Sequence, residues 1–419
     1  MGPLTAATSN APAAAEPSKR IGVLDVLRGI ALTGMIFVHV RGGASDPGSG
    51  FGHAYLRFVH LFLAGRLYSM FAILFGVGFA VQMRRAEARG DRLVPRYLRR
   101  LLALAAFGFI TEVFFGYWVL LQYAIWGVPL LLVRRWSTKA LVVTLVLCAV
   151  TGNTVYIARA TYLTVVGRTT EFPAFRQADV SRDSTAWAKL DTGSHSTHYP
   201  TVVAARLRNV PYRYSRPYSY LPFGDFTLFL IGLLGLRLGL FDHPAQHKRF
   251  IVSAMVFGAA SWAVSEWLLI RIPFSVGLPP TTPLLVRVTA MFATRFGAFG
   301  LIRDSWLAFT YIGAILLLVA QSPGWLQRLS PLATIGRMAL TNYVLQAIVL
   351  DLAFAPYAFG ATITASSAPL AALVLVTVEV IASYWWLSRY RYGPLEWLWR
   401  SITYARWQPL RRAVVATAG

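Results

Sequence analysis

The sequence is poor in the residues that keep a soluble protein in water. Only 14% of its residues are charged, acids number 17, and lysine occurs at just four positions among the 40 basic residues. Hydrophobic residues make up 56% of the chain, and the mean hydropathy is +0.53. This composition excludes a water-soluble domain, because its surface would consist largely of apolar side chains. The apolar residues must therefore face lipid.

Cysteine is nearly absent too, since Cys148 is the only one, and a single cysteine excludes an intramolecular disulfide. His195 and His198 lie three residues apart, but no cysteine or carboxylate at metal-ligand spacing completes a set, so no metal is predicted. Nucleic-acid binding is not predicted despite the net charge of +23. The arginines are concentrated between apolar blocks on alternate sides, which is the distribution of topology signals.

Long hydrophobic blocks dominate the sequence. Each is about 20 residues long, the length that a helix needs to cross a hydrocarbon core of about 30 Å. The blocks do not alternate as barrel strands would. The predicted fold class is therefore all-α, a polytopic transmembrane helix bundle. Ten spans are predicted, at residues 21–40, 58–82, 99–116, 118–134, 140–161, 221–241, 250–270, 304–321, 337–357 and 367–388.

The arginines also predict an orientation. The connection at 84–100 carries seven arginines, and such clusters stay on the cytoplasmic side of a membrane. Basic residues at 134–139, at 248–249 and from Arg389 onward agree with this orientation. Both termini are therefore expected in the cytoplasm, with the protein in a bacterial cytoplasmic membrane.

The spans divide the chain into five regions. The stretch 272–303 stays open between an outside loop, an interfacial helix and a re-entrant segment. The regions are a disordered cytoplasmic tail at 1–18, a five-helix membrane half at 19–162, an extracytoplasmic loop at 163–220, a second membrane half at 221–405 and a cytoplasmic tail at 406–419.

Charged side chains within lipid are costly, so each one is a candidate for a functional site. The first span carries Asp25, Arg28 and His39. The 11 helical steps from Arg28 to His39 return to within about 20° of the start and rise about 16 Å, so both side chains share one face. Asp25 precedes Arg28 by three residues and lies beside it. The alternatives are a structural ion pair for Asp25 with Arg28, and an interfacial polar residue for His39.

The second span adds further candidates. His53 is expected at the membrane level of His39, so either imidazole is a candidate catalytic base. Arg41, His60 and Arg66 are predicted to bind substrate or donor. Three acids are expected at span ends, where carboxylates meet water: Glu112, Glu266 and Asp304.

Four segments resemble motifs of the YeiB family of bacterial inner-membrane proteins, which includes a C-terminal domain of unknown function. The resemblance runs from about residue 20 to residue 405 and adds Arg337, Asn342 and Gln346 to the predicted binding residues. The segments are LDVLRGIAL at 24–32, GRLYSMF through LFGVGF at 65–79, GRMALTNY at 336–343 and GPLEWLWR at 393–400.

The YeiB family is grouped by fold with transmembrane acyltransferases, including the acyltransferase-3 proteins and heparan-alpha-glucosaminide N-acetyltransferase. In the acyltransferase-3 pattern, ten residues separate a first-span arginine from an essential histidine, and Arg28 with His39 is similar. The segment at 51–54, which contains His53, resembles that of the catalytic histidine in the lysosomal acetyltransferase. One departure is that the family's Gly-Asp-Ile-Leu motif is here Tyr-Trp-Val-Leu at 117–120, so its acid is missing.

These residues lead to the hypothesis of a transmembrane acyltransferase. Acyl-CoA would be the donor, and a hydroxyl or amine of an envelope glycan, lipid or small metabolite the acceptor. His39 or His53 would act as general base or acyl carrier, while Arg28, held by Asp25, would orient the donor. The alternatives are a transporter or exporter of a small anionic or amphipathic solute, and a structural scaffold. The expected partners are the lipid bilayer and the acceptor, and a homodimer stays open.

Overall fold

The computed structural model describes most of the chain, and nearly all of that part is helical. A single pair of short parallel strands accompanies the helices in the described part. This agrees with the predicted all-α class. The described residues are 22–42, 44–46, 49–90, 93–151, 193, 196–215, 222–271, 300–322 and 324–412.

The elements follow one another with short connections. In the first half they are α1 (Gly22–Gly42), β1 (Ala44–Asp46), α2 (Gly50–Phe58), a π-helical turn (Val59–Leu63), α3 (Arg66–Ala88), α4 (Leu93–Phe115), α5 (Val119–Gly127), α6 (Pro129–Val133) and α7 (Thr138–Thr151). In the second half they are α8 (Tyr199–Ser215), α9 (Pro222–Arg237), α10 (Lys248–Arg271), α11 (Gly300–Gln321), α12 (Gly324–Arg328), α13 (Ser330–Arg337), α14 (Ala339–Phe354), β2 (Ile363–Thr364), α15 (Ala368–Arg389) and α16 (Pro394–Tyr404).

Four helical stretches are long and apolar enough to cross a membrane, so the chain is a membrane protein. They are Gly22–Arg41, Gly50–Ala88, Lys248–Trp267 and Ala368–Arg389. Shorter apolar helices occupy Val119–Val133, Thr138–Cys148, Ser305–Gln321 and Ala339–Phe354. Each of the ten predicted blocks is helical where it is described. The ten-span topology and its orientation stay predictions.

Helix α1 is the central helix of the bundle. Val26, Leu27, Ala31, Leu32 and Ile36 along its length have no exposed surface. It packs against α3, α13, α14 and α15. The charged residues of α1 are therefore placed inside the bundle, whereas much of α10 and α15 is exposed.

Glycines bring the backbones of the central helices into direct contact. A Cβ on Gly29 of α1 would lie 1.9 Å from the carbonyl oxygen of Leu332 in α13. A Cβ on Gly76 of α3 would lie 2.0 Å from the carbonyl oxygen of Phe229 in α9. Small residues at helix crossings allow this close approach in membrane proteins. The Gly-spaced run of the second span is thus a packing surface for α9.

Two predicted spans are interrupted. The block at 58–82 contains the π-helical turn and then Gly65, whose φ of 78° ends the helix before α3 begins. The block at 118–134 divides into α5 and α6 at Pro129, which has no N–H to donate to the preceding turn. The prediction of one continuous helix in each block was wrong at these two breaks.

The end of the bundle beyond Gly42 carries structure that the sequence did not predict. Helix α8 lies within the predicted loop 163–220 and packs against α4. Strand β1 pairs in parallel with β2, with Ala44 opposite Ile363, and so joins the two membrane halves. The Oγ atoms of Ser49 and Ser366 lie 2.7 Å apart at the same end.

Candidate functional site

The first end of the site is the ion pair near the start of α1. Arg28 donates from Nη1 to Oδ1 of Asp25 at 3.2 Å, and the Asp25 side chain is 5% exposed. A Cβ on Gly78 of α3 would lie 3.7 Å from Nη2 of Arg28, so this glycine leaves room for the guanidinium. The i, i+3 spacing predicted this pair correctly.

The family-like motifs meet at this end of the bundle. A Cβ on Gly336 of the third motif would lie 1.8 Å from the carbonyl oxygen of Asp25 in the first. Glu396 of the last motif accepts hydrogen bonds from the backbone N–H groups of Leu340 and Thr341 at 2.6 and 3.1 Å. A carboxylate at a helix N-terminus satisfies otherwise unpaired donors of α14. The motifs are therefore parts of one assembled region.

The second end of the site is the imidazole of His39, near the end of α1. Its ring contacts the ring of Tyr117 edge to face, with centroids 4.9 Å apart and planes at 82°. Nδ1 of His39 is buried and has no hydrogen-bond partner among the described residues. Because buried polar atoms normally find partners, this nitrogen is suited to a proton-bearing group of a ligand.

A charged clamp lies next to Tyr117. Arg206 of α8 donates from Nη2 to Oδ1 of Asp351 in α14 at 2.7 Å, and from Nη1 to the carbonyl oxygen of Phe114 at 2.7 Å. Tyr357 also donates to Asp351. The clamp fastens the unpredicted helix α8 to the bundle beside His39. Neither Arg206 nor Asp351 was identified from the sequence.

A buried acid lies between α3, α5 and α9. Asp225 accepts a hydrogen bond from the hydroxyl of Tyr68 at 2.6 Å and another from Nε2 of Gln122. Gln122 follows the segment in which the family motif has its acid, so a carboxylate from another helix reaches that neighbourhood. Sequence reasoning missed Asp225, although an acid within the apolar block 221–241 was a usable signal.

Arg66, predicted to bind a ligand, is buried among protein groups. It donates from Nη1 to the carbonyl oxygens of His60 and Ala64 at 3.0 and 2.6 Å, and from Nη2 to Oε1 of Glu266 at 3.0 Å. These contacts stabilise the break before α3. The expectation that Glu266 meets water was wrong, because it is paired with this arginine. Glu112 is also buried, and the hydroxyl of Tyr214 donates to it at 2.8 Å.

The remaining histidine candidates lie apart from these contacts. His53 is exposed, and its Nδ1 lies 3.4 Å from the backbone oxygen of Ser49. His60 has an exposed side chain, and Arg41 is half-buried at the end of α1. His198 is exposed. His195 and the side chain of Asp304 lie outside the described residues.

The C-terminal candidates connect helices. Asn342 donates from Nδ2 to Oγ of Ser383 at 2.9 Å, and Gln346 donates from Nε2 to Oε2 of Glu379 at 3.1 Å. Both bonds join α14 to α15, so these two residues hold helices together. Arg337 ends α13 and is half-buried.

Two family models match the chain. The model described as heparan-alpha-glucosaminide N-acetyltransferase, catalytic, matches residues 20–179. The model described as protein of unknown function (DUF418) matches residues 236–406. The first region contains both ends of the site on α1, and the second contains the motifs that pack against it.

Three relatives are similar to this chain. Uncharacterized protein YxaH of Bacillus subtilis (strain 168) is 27% identical over 430 residues, covering 94% of this chain and 97% of the relative. The uncharacterized 39.9 kDa protein in amylase 3'region of Bacillus acidopullulyticus is 28% identical over 401 residues, covering 94% and 96%. Uncharacterized protein YeiB of Escherichia coli (strain K12) is 39% identical over 74 residues, covering 17% and 19%. No solved structure matches the chain.

The helical membrane fold and the match to the catalytic model define a protein of the transmembrane acetyltransferase-like class. The chain belongs to the YeiB family, which is related to heparan-alpha-glucosaminide N-acetyltransferase. This confirms the resemblance seen in the four sequence motifs.

Proposed function

We propose that the protein is an acyltransferase of the bacterial cytoplasmic membrane. It moves an acyl group from acyl-CoA to a hydroxyl or amine of an envelope glycan, lipid or small metabolite. The observation that carries the proposal is on α1. This helix holds Arg28 in its ion pair near one end and the unsatisfied Nδ1 of His39 near the other, within the region that matches the catalytic model.

Contacts between distant elements support the proposed topology of ten spans with both termini inside. In that topology, Arg84 and Asp242 both lie on the cytoplasmic side, and they form an ion pair. The partners Arg206 and Asp351 both lie towards the outside, as do β1 and β2. A wrong number of crossings between two such elements would place the partners on opposite sides of the membrane.

The topology is tested by labelling single cysteines in intact cells. Cys148 is replaced by serine, and Arg89→Cys or Phe359→Cys is introduced at an exposed position. A membrane-impermeant maleimide is expected to label the cysteine at 359 in intact cells and that at 89 only after lysis. Labelling of residue 89 in intact cells would contradict the orientation.

The proposed chemistry follows from the two ends of α1. The acceptor oxygen or nitrogen attacks the thioester carbonyl, His39 takes the acceptor's proton, and the proton passes to the leaving thiolate of CoA. Arg28 binds donor phosphate or carbonyl oxygen, and Asp25 holds its guanidinium. The rise of about 16 Å from Arg28 to His39 suits the extended pantetheine arm between phosphates and thioester.

The test measures release of free CoA from acetyl-CoA by purified protein, with an envelope extract as the source of acceptor. His39→Gln and Arg28→Ala are each expected to lower the rate at least about a hundredfold, the usual contribution of a general base. His198→Gln is the matched control, because His198 is an exposed histidine near the same end. A His39→Gln protein as fast as the parent would refute the role of His39. A larger loss in His53→Gln would move the role to His53.

The second candidate function is transport of a small anionic or amphipathic solute. The buried Asp225 with Gln122 and Tyr68 favours it, because an acid within a membrane helix is suited to carrying protons. A thermal-shift screen separates the two functions. Stabilisation by CoA or acetyl-CoA supports the enzyme, whereas stabilisation by an unmodified solute without any CoA effect supports transport.

A further inference from the structure

Three arginines from separate helices converge at the end of the bundle where α1 begins. Arg100 of α4 lies within electrostatic range of Arg28 of α1 and of Arg400 of α16. Neither Arg100 nor Arg400 forms an ion pair with an acid in the described part of the chain. Glu396, one turn before Arg400, is instead engaged with the start of α14. The cluster therefore carries excess positive charge.

Aromatic rings hold two of these guanidinium groups in place. The Cζ atom of Arg100 lies 3.6 Å from the ring centroid of Trp399, whose Nε1 donates to the backbone oxygen of Arg100 at 2.8 Å. The Cζ atom of Arg400 lies 4.5 Å from the ring centroid of Tyr392. A ring contact fixes the plane of a guanidinium while leaving N–H groups at its edge for another partner.

The cluster has an unused donor. Nε of Arg400 is buried and has no hydrogen-bond partner among the described residues. Like charges held close together repel, and a bound anion removes that repulsion. Guanidinium groups bind phosphate oxygens with two parallel hydrogen bonds, which makes phosphate the fitting anion.

We propose that Arg28, Arg100 and Arg400 form a binding site for the phosphate groups at the nucleotide end of coenzyme A. This inference rests on the proposed function and deepens it by locating the donor's phosphates. Arg28 and Arg100 lie in the region matching the catalytic model, and Arg400 lies in the region matching the DUF418 model. The site is thus completed by both halves of the chain. The phosphate of an anionic lipid headgroup shares this chemistry.

The experiment measures CoA binding by isothermal titration calorimetry with the full-length protein in phosphatidylcholine nanodiscs. Arg100→Gln and Arg400→Gln are each expected to weaken CoA binding about tenfold or more, because each removes charged hydrogen bonds. Arg389→Gln is the matched control. Arg389 also lies over a tryptophan ring, 4.5 Å from that of Trp385, but at the end of α15 and in an exposed position. It is expected to bind CoA as the parent does.

Pantetheine, which carries no phosphate, provides the second probe, and its affinity is expected to be equal in all four proteins. Native mass spectrometry in phosphatidylglycerol nanodiscs covers the lipid source. Loss of retained phosphatidylglycerol in the two cluster variants with unchanged CoA affinity overturns CoA as the ligand. Arg100→Lys and Arg400→Lys keep the charge and must bind CoA better than the glutamine variants, or the site is refuted. Weakened CoA binding in a protein without acyl transfer would refute the proposed function and leave this site standing.

Discussion

Gly336 of α13 packs directly onto the backbone of Gly29 in α1. A Cβ added to Gly336 would lie 2.8 Å from the backbone nitrogen of Gly29 and 1.8 Å from the carbonyl oxygen of Asp25. The two glycines belong to motifs that are about 300 residues apart in sequence, and their contact holds the Asp25 and Arg28 pair against α13. Changes at this crossing should therefore affect both stability and the site.

The crossing predicts the cost of one added methyl group. Gly336→Ala is expected to destabilise the protein by about 1–3 kcal/mol, because the methyl group meets backbone atoms that cannot rotate away. The measurement is the thermal unfolding midpoint in detergent. Gly50→Ala is the control, since nothing lies within 4 Å of a Cβ there, and its midpoint should match the parent. Equal midpoints for both variants would show that the helices are not in this close contact.

Two ion pairs predict contrasting effects on stability. Arg66→Gln is expected to cost about 3–5 kcal/mol, because it leaves Glu266 without its charge partner in a buried position. Arg84→Gln breaks the exposed pair with Asp242 and is expected to cost no more than about 1 kcal/mol. Thermal unfolding of the two variants side by side is the measurement. A smaller loss for Arg66→Gln than for Arg84→Gln would contradict the buried pairing.

The ring contact between Tyr117 and His39 predicts a dependence on shape. Tyr117→Phe keeps the ring against the imidazole and is expected to retain most acyl transfer. Tyr117→Leu removes it and is expected to lower kcat about tenfold or more, because small misplacements of a reacting group are costly. The measurement is release of CoA from acetyl-CoA, with KM determined separately. A loss in the phenylalanine variant as large as in the leucine variant would assign the effect to the hydroxyl.

Glu396 predicts a dependence of stability on pH. Burial raises the pKa of its carboxyl above the ordinary value of 4.5, so the folded protein holds this proton more tightly than the unfolded chain. The protonated carboxyl therefore contributes most stability below pH 4.5, and the contribution declines as pH rises through the raised pKa. Glu396→Gln cannot lose a proton. The thermal midpoint of the parent relative to this variant is expected to fall between pH 4.5 and pH 7, and a constant difference would contradict the shift.

Local patterns in the sequence predicted the features that depend on one helix. The pairing of Asp25 with Arg28 followed from their spacing, and the helical blocks followed from the lengths of the apolar runs. The breaks at Gly65 and Pro129 were less visible, because a single glycine or proline is tolerated inside many membrane helices. Helix α8 was missed because its polar sequence carries no apolar block.

By itself, the sequence determined that this is a helical membrane protein with an acid, a guanidinium and an imidazole on its first span. Only the tertiary structure decided which residues from other helices join them. Asp225 with Gln122, Arg206 with Asp351 and Trp399 with Arg100 are each more than 100 residues apart in the chain. The physical reason is that helical periodicity orients a side chain about its own axis. The neighbour that it meets depends on how helices pack.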